Sequence, residues 1–135
     1  MKNILIVSNS DTCRSRMAQE ILNSFGRGMK ISTAGVLVGN SVPDVVCQVM
    51  EQNGYDFSRR KPCDVATYAQ QTWDYVITLC PEAEEVQKEM QGVVRKYVSF
   101  NFADPFRGGI HADDEQEERV VALYDAMHKE LYEFF

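Results

Sequence analysis

The hydrophobic and polar positions divide the chain into short apolar runs and longer amphipathic segments. Four runs are bounded by polar or turn residues, as buried parallel strands are, and they cover 4–7, 30–34, 73–79 and 97–100. Apolar residues also recur at helical spacing on one face within 17–25, 45–50 and 120–134. Strands and helices alternate along the chain, and a short acidic helix is expected over 82–91. This order predicts an α/β protein, a three-layer sandwich around a four-stranded parallel sheet with a flavodoxin-like arrangement.

Composition narrows the classes of partner. A chain of 135 residues with 44% hydrophobic content predicts one domain covering 1–135. The net charge of −6 argues against nucleic acid and against anionic membrane surfaces as partners. No apolar run reaches membrane-spanning length, and residues 1–7 are too short for a signal peptide. The four cysteines show no metal-binding or disulfide spacing. We therefore expect a cytoplasmic protein with no metal and no other cofactor.

The first strand runs directly into a polar loop and then a helix. Ser8 begins the loop, and helical periodicity starts at Ser15. A strand, tight loop and helix in this order point several backbone N–H groups and the helix N-terminus at one place, which favours an anion there. Arg14 adds a planar guanidinium suited to tetrahedral oxyanions. The alternative is an ordinary strand-to-helix turn with a surface arginine.

The stretch 4–18 resembles the phosphate-binding loop of low-molecular-weight protein tyrosine phosphatases and thioredoxin-coupled arsenate reductases. That family has a cysteine, five further residues, an arginine and a serine at the end of its first strand. Ser8 stands at the position of the nucleophilic cysteine, whereas Cys13, Arg14 and Ser15 match. Ser10 replaces a usual glycine, and Asp11 replaces a usual asparagine. The resemblance implies that phosphate, sulfate or an arsenate-like oxyanion is bound by Arg14 together with Asn9, Ser10, Asp11, Thr12, Cys13 and Ser15.

A second matching motif follows the fourth strand. Asp104 and Pro105 correspond to an Asp-Pro pair whose aspartate is the family's general acid. The proline biases Asp104 towards extended backbone. Phe106 resembles the aromatic residue that the phosphatases place beside the substrate ring. The alternative is a plain Asp-Pro turn, which is common in loops.

Cys80 follows a Thr-Leu pair at the end of the third strand and resembles the resolving cysteine of arsenate reductases. The reductase pattern has another cysteine seven residues later, where this chain has Gln87. A reductase built on Cys80 would therefore need an external thiol or a thiol-redox partner. The alternative is that Cys80 is a small buried residue at the end of a strand.

Three functions remain open from the sequence. The first is a phosphatase of the low-molecular-weight tyrosine type, whose substrate could be a phosphotyrosyl protein. In such an enzyme Ser8 takes the phosphoryl group, Arg14 stabilises the charge of that group, and Asp104 donates a proton to the leaving group. The second is an arsenate reductase that uses Cys80 and an external thiol. The third is a non-catalytic oxyanion-binding module.

The serine at position 8 determines how active such an enzyme is. A serine nucleophile needs an adjacent base, and neither His111 nor His128 has a sequence context that marks it as one. Asp11 is near in sequence, but an ionised carboxylate in the loop would repel an anionic substrate. The sequence therefore predicts a protein that binds oxyanions and turns them over poorly.

Overall fold

The computed structural model describes residues 2–57, 61–108 and 113–135. His111 and the predicted helix start at residue 112 lie outside these ranges. Short 3₁₀ turns cover Val65–Tyr68 and Pro81–Glu85. Within the described ranges the strands and helices are β1 (Lys2–Ser8), α1 (Arg14–Ser24), β2 (Met29–Gly35), α2 (Asp44–Gln52), β3 (Trp73–Thr78), α3 (Val86–Glu89), β4 (Val94–Ser99) and α4 (Asp113–Phe134).

The four strands form one parallel sheet in the order β2-β1-β3-β4. Val7 at the end of β1 is in register with Ala34 on β2 and Thr78 on β3. β2 lies on one side of β1, whereas β3 and β4 lie on the other side. The order in which the chain adds strands to the sheet therefore reverses at β1. In open parallel sheets, sites form beyond the carboxyl ends of the strands at such a point. The predicted four-stranded parallel α/β fold is confirmed.

Alternate residues of β1 enter cores on opposite faces of the sheet, as strand geometry requires. Ile4 and Ile6 join the larger core, which packs against α1, α2 and α4. Leu5 and Val7 join a smaller core on the other face. On the apolar face predicted for α4, the residues Val120, Leu123, Met127 and Leu131 are buried. The two cores hold β1 rigidly and so determine where its last residue lies.

Several sequence predictions require correction. β4 begins at Val94 rather than at residue 97, because its exposed residues 95–97 hide the apolar pattern. The predicted helix over 82–91 is a 3₁₀ turn followed by four α-helical residues. Phe134 was expected in the core but is 43% exposed, because it lies in the last turn of α4. No helix among the described residues is long and apolar enough to cross a membrane.

Candidate active site

The loop between β1 and α1 is held by the segment that follows β2. The carbonyl oxygens of residues 8–10 accept hydrogen bonds from the backbone N–H groups of Val36, Leu37 and Gly39, at 3.2, 2.8 and 2.9 Å. The Ser10 and Thr12 hydroxyls also lie 2.7 Å apart. With these carbonyls engaged on one side, the loop has a defined shape before any ligand binds.

Gly35 permits the close approach of these two segments. A Cβ atom at this position would lie 2.7 Å from the carbonyl carbon of Ser10 and 2.9 Å from the amide nitrogen of Asp11. Real Cβ atoms do not come so near to backbone, so any larger residue would push the loop away. The glycine that closes the second strand is therefore part of the support of the site.

The N-terminus of α1 opens onto the same loop. Cys13 precedes the first helical residue, Arg14, and no side chain caps the helix by a hydrogen bond. The first turn also contains no acidic residue. The first N–H groups of a helix lack intrahelical partners, and the helix dipole adds partial positive charge there. This end of α1 therefore favours an anion.

A cavity of about 180 Å³ lies above the loop. Ser8, Arg14 and Asp104, which come from distant parts of the chain, all line it. The other predicted site residues that line it are Asn9, Ser10, Thr12, Cys13 and Phe106, and Pro43 was not anticipated. Pro43 precedes α2, and no sequence motif connects it with the loop. Its place in the cavity results from packing alone.

Arg14 connects the loop with the segment that carries Asp104. Its Nη1 atom donates a hydrogen bond to the backbone oxygen of Phe102 at 2.9 Å, and the side chain is buried. Arg14 also lines a neighbouring cavity of about 340 Å³, together with Glu82 and Arg107. One guanidinium nitrogen is therefore already engaged by the protein, and a bidentate contact with an oxyanion would use the remaining N–H groups.

Asp104 is oriented by its own loop. Its Oδ1 atom accepts a hydrogen bond from the Phe106 N–H at 2.9 Å, and its carbonyl oxygen accepts one from the Arg107 N–H at 3.2 Å. The side chain is half-buried at the cavity wall. The turn therefore leaves one carboxyl oxygen, Oδ2, for a substrate.

Asp11 and Ser15, which were predicted to be substrate-binding residues, do not line the cavity. Asp11 has a left-handed backbone with φ of 57°, and its carboxylate is fully buried. Its Oδ1 accepts a hydrogen bond from the Ser15 hydroxyl at 2.6 Å, and its Oδ2 accepts one from the Cys63 N–H at 2.9 Å. The left-handed backbone turns the carboxylate away from the cavity, so an anion bound there would not contact it directly. A serine four residues after an aspartate was the only sequence signal of this contact.

The cysteines near the site are buried thiols. Burial raises the pKa of Cys13 to about 12, although the Arg14 guanidinium acts in the opposite direction. Burial also raises the pKa of Cys80, again partly offset by Arg14. Cys80 lies two residues after β3, whose last residue is in register with Val7 of β1. The Cys80 side chain is 1% exposed and does not line the cavity. Neither thiol has the exposure or the thiolate character of a reactive cysteine.

Comparison with known proteins gives a family match over nearly the whole chain. A model of the family described as low molecular weight phosphotyrosine protein phosphatase matches residues 3–133. A probable low molecular weight protein-tyrosine-phosphatase, EpsP, from Ralstonia nicotianae is 27% identical over 135 aligned positions, which cover 93% of each chain.

Arsenate reductases are also similar to this chain. A glutaredoxin arsenate reductase from Synechocystis is 29% identical over 80 residues, which cover 59% of this chain and 61% of that protein. The solved structure of an arsenate reductase in the phosphate binding state superposes with a TM-score of 0.74 at 20% identity, over 99% of this chain and 96% of the other. At this identity the structural match supports the fold alone.

Proposed function

This chain belongs to the family of low-molecular-weight phosphotyrosine protein phosphatases, and we propose that it hydrolyses phosphotyrosine-like monoesters slowly through the loop 8–14. The family contains phosphatases, and arsenate reductases are similar to the chain. The choice between these activities rests on the side chains of the site.

The observation that carries the proposal is that Ser8, Arg14 and Asp104 line one cavity at the N-terminus of α1. The volume of about 180 Å³ suits a phosphoryl group and the adjoining part of its ester. Phe106 lines the same cavity and offers an aromatic surface beside that ester. A phosphotyrosyl side chain has the matching parts, an anionic end and an aromatic ring.

Each of the three residues has a distinct role in this proposal. The loop amides and Arg14 hold the equatorial oxygens of the transferring group, because positioning and charge stabilisation supply most of the catalysis in phosphoryl transfer. Ser8 takes the phosphoryl group. Asp104 protonates the leaving oxygen. The turnover is slow because a serine hydroxyl is not ionised at neutral pH, unlike a cysteine thiol in such an environment.

Two measurements test this function. Titration calorimetry with inorganic phosphate measures binding to the loop, and 4-nitrophenyl phosphate measures turnover. We expect phosphate binding and slow hydrolysis by the parent chain, and fast hydrolysis by the Ser8→Cys variant. Absence of hydrolysis in both proteins contradicts the phosphatase assignment. Phosphate binding without turnover in either protein supports a non-catalytic oxyanion-binding module instead.

An arsenate reductase is the second candidate, favoured by the Synechocystis relative and by the sequence position of Cys80 two residues after β3, although Cys80 would have to become accessible in order to react. Because position 87 is a glutamine, this activity would require an external thiol or a thiol-redox partner. The test is reduction of arsenate in the presence of glutathione and glutaredoxin, by the parent and by Cys80→Ser. Reduction that depends on Cys80 supports this candidate, whereas no reduction excludes it.

We also propose a cytoplasmic location and a phosphotyrosyl protein as substrate. The location is supported by the cysteines, since none of the four takes part in a disulfide. The substrate is supported by the aromatic wall that Phe106 supplies. Fractionation of the cells that produce the chain, and hydrolysis of phosphotyrosyl peptides compared with phosphoseryl peptides, test these two points.

A further inference from the structure

Two departures from the family pattern, Ser8 and Asp11, are linked by hydrogen bonds. The Ser8 hydroxyl donates to the Ser15 oxygen at 2.9 Å, and the Ser15 hydroxyl donates to Asp11 Oδ1 at 2.6 Å. Both donors point in the same direction, away from the cavity and towards the carboxylate. The chain therefore contains a continuous path for a proton from the cavity wall to a buried acceptor.

The path is buried along its whole length. Ser8 is 2% exposed, and Ser15 and Asp11 are both inaccessible to solvent. The Asp11 N–H donates to the Ser8 oxygen at 3.2 Å. The Cys63 N–H binds the second carboxylate oxygen of Asp11 and so holds Oδ1 towards Ser15. The three side chains are joined by direct hydrogen bonds, and both ends of the path are held by the backbone.

Among the described residues, the one histidine, His128, does not offer an alternative base. His128 lies on α4, where its ring centre is 5.9 Å from that of Phe25 and 6.4 Å from that of Tyr132. His111 lies outside the described residues. Asp104 faces the cavity from the opposite loop, where a leaving group would need it. The carboxylate that the Ser8 hydroxyl reaches through hydrogen bonds is that of Asp11.

We propose that Asp11, acting through the Ser15 hydroxyl, accepts the proton of Ser8 and makes this serine the nucleophile that takes the phosphoryl group. The inference rests on the proposed function and deepens it. Asp11 and Ser15 are positioning residues in this scheme, because only Ser8 touches the substrate. A hydroxyl activated by an adjacent base replaces the thiolate that the family uses at this place.

The first step transfers the phosphoryl group to the enzyme. The Ser8 oxygen forms a bond to phosphorus while the bond from phosphorus to the leaving oxygen breaks. The Ser8 proton moves to the Ser15 oxygen, and the Ser15 proton moves to Asp11. Asp104 gives its own proton to the leaving oxygen. The products are a free alcohol or phenol, phosphoserine at position 8, a neutral Asp11 and an ionised Asp104.

The second step restores the enzyme with one water molecule. The water oxygen attacks phosphorus and loses a proton to Asp104, and the bond from phosphorus to the Ser8 oxygen breaks. The Ser8 oxygen regains its proton from Ser15, which takes one from Asp11. Inorganic phosphate leaves, and every proton is again where it began. The sum is hydrolysis of one monoester by one water.

The test compares the same substitution in two proteins. Asp11→Asn and Ser15→Ala are each made in the parent chain and in the Ser8→Cys variant, and kcat, KM and the inhibition constant of inorganic phosphate are measured with 4-nitrophenyl phosphate. In the parent we expect kcat to fall by roughly 10²–10⁴-fold in both variants, the range for a lost base. The phosphate inhibition constant should not rise, because the carboxylate faces away from the cavity.

In the Ser8→Cys protein the expected effect of Asp11→Asn is different. A thiolate that is already ionised needs no base, so kcat should not fall. A purely structural role for Asp11 would lower kcat in both proteins equally and overturns the relay. Asp125→Asn, an exposed aspartate on α4, makes the same change of net charge and serves as control in both proteins.

Trapping gives a second readout. Acid quenching of the parent during turnover, followed by peptide mass spectrometry, should find phosphate on Ser8. Its absence, with turnover present, overturns the relay. If the parent shows no turnover and the Ser8→Cys protein is active, the relay is wrong, and the cavity is a phosphatase site that works only with a cysteine at position 8. If neither protein shows turnover, the proposed function itself fails. Ser15→Ala keeps the bond between Asp11 and Cys63, so it remains informative if Asp11→Asn does not fold.

Discussion

Arg14 donates a hydrogen bond to the backbone oxygen of Phe102, 88 positions later in the chain, at 2.9 Å. This bond connects the first residue of α1 with the segment that carries Asp104. The Arg14 guanidinium therefore lines the cavity and also fixes the position of the segment that carries Asp104. A substitution at Arg14 should affect both binding and the geometry of the acid.

The first prediction concerns this arginine. Arg14→Lys keeps the positive charge but loses the planar fork and the bond to Phe102. We expect inorganic phosphate to bind roughly 10–100-fold more weakly, which corresponds to one lost charge-assisted hydrogen bond. Titration calorimetry measures the change. Arg95→Lys is the control, because Arg95 pairs with Asp74 on the surface; equal affinities in both variants and the parent would show that Arg14 does not contact the anion.

The second prediction concerns the nucleophile. Ser8→Cys should raise phosphatase activity by several orders of magnitude, because a thiol at a helix N-terminus, surrounded by amide donors, has a pKa of roughly 3.5–7.5 and is ionised at neutral pH. Initial rates with 4-nitrophenyl phosphate measure the gain. A Ser8→Ala variant should bind phosphate without turnover. Activity in Ser8→Ala equal to that of the parent would exclude Ser8 as the nucleophile.

The third prediction separates a general acid from a structural aspartate at position 104. In the Ser8→Cys protein, Asp104→Asn should lower turnover of an alkyl or weakly activated aryl phosphate by roughly 10²–10⁴-fold. Esters with good leaving groups need less protonation and should suffer less. The amide oxygen can still accept the Phe106 N–H, so the turn should persist. Equal losses for both kinds of ester would indicate a structural role.

The fourth prediction concerns the order in which the cysteines react. Thiolates are the reactive form, and burial raises the pKa of Cys13 to about 12, so this residue stays protonated at neutral pH and should react only on unfolding. Cys80 is also buried with a raised pKa. Cys63 is half-exposed and should be alkylated first. Mass spectrometry after a short iodoacetamide pulse gives the order; early labelling of Cys80 would instead favour its redox role.

The fifth prediction concerns Gly35. Gly35→Ala places a Cβ against the backbone of Ser10 and Asp11. We expect the free energy of unfolding to fall by about 1–3 kcal/mol, as in other overpacked sites, and phosphate binding to weaken because the loop is displaced. Urea unfolding and phosphate titration on the same protein measure both effects. A loss of stability with unchanged phosphate affinity would show that the loop does not depend on this contact.

Most of the fold was predictable because its signals are local. The apolar runs of β1 to β3 and the apolar face of α4 can be recognised from residues that are near one another in sequence. Most of these apolar residues are buried in the structure. β4 was placed too late in the chain, since an edge strand with exposed side chains lacks the apolar run. The cavity lining at Ser8, Arg14 and Asp104 was anticipated from family motifs, whereas Pro43 was not.

The sequence by itself determined that β1 ends in a polar loop before a helix, and its family resemblance predicted that Ser8 stands at the nucleophile position. It could not determine where the Asp11 carboxylate points. That direction depends on a left-handed backbone at Asp11 and on the Cys63 N–H, which comes from 52 residues away. Local pattern specifies which residues form an element, but the partner of a buried charge is chosen by the packed fold, because an unpaired buried charge is too costly to leave.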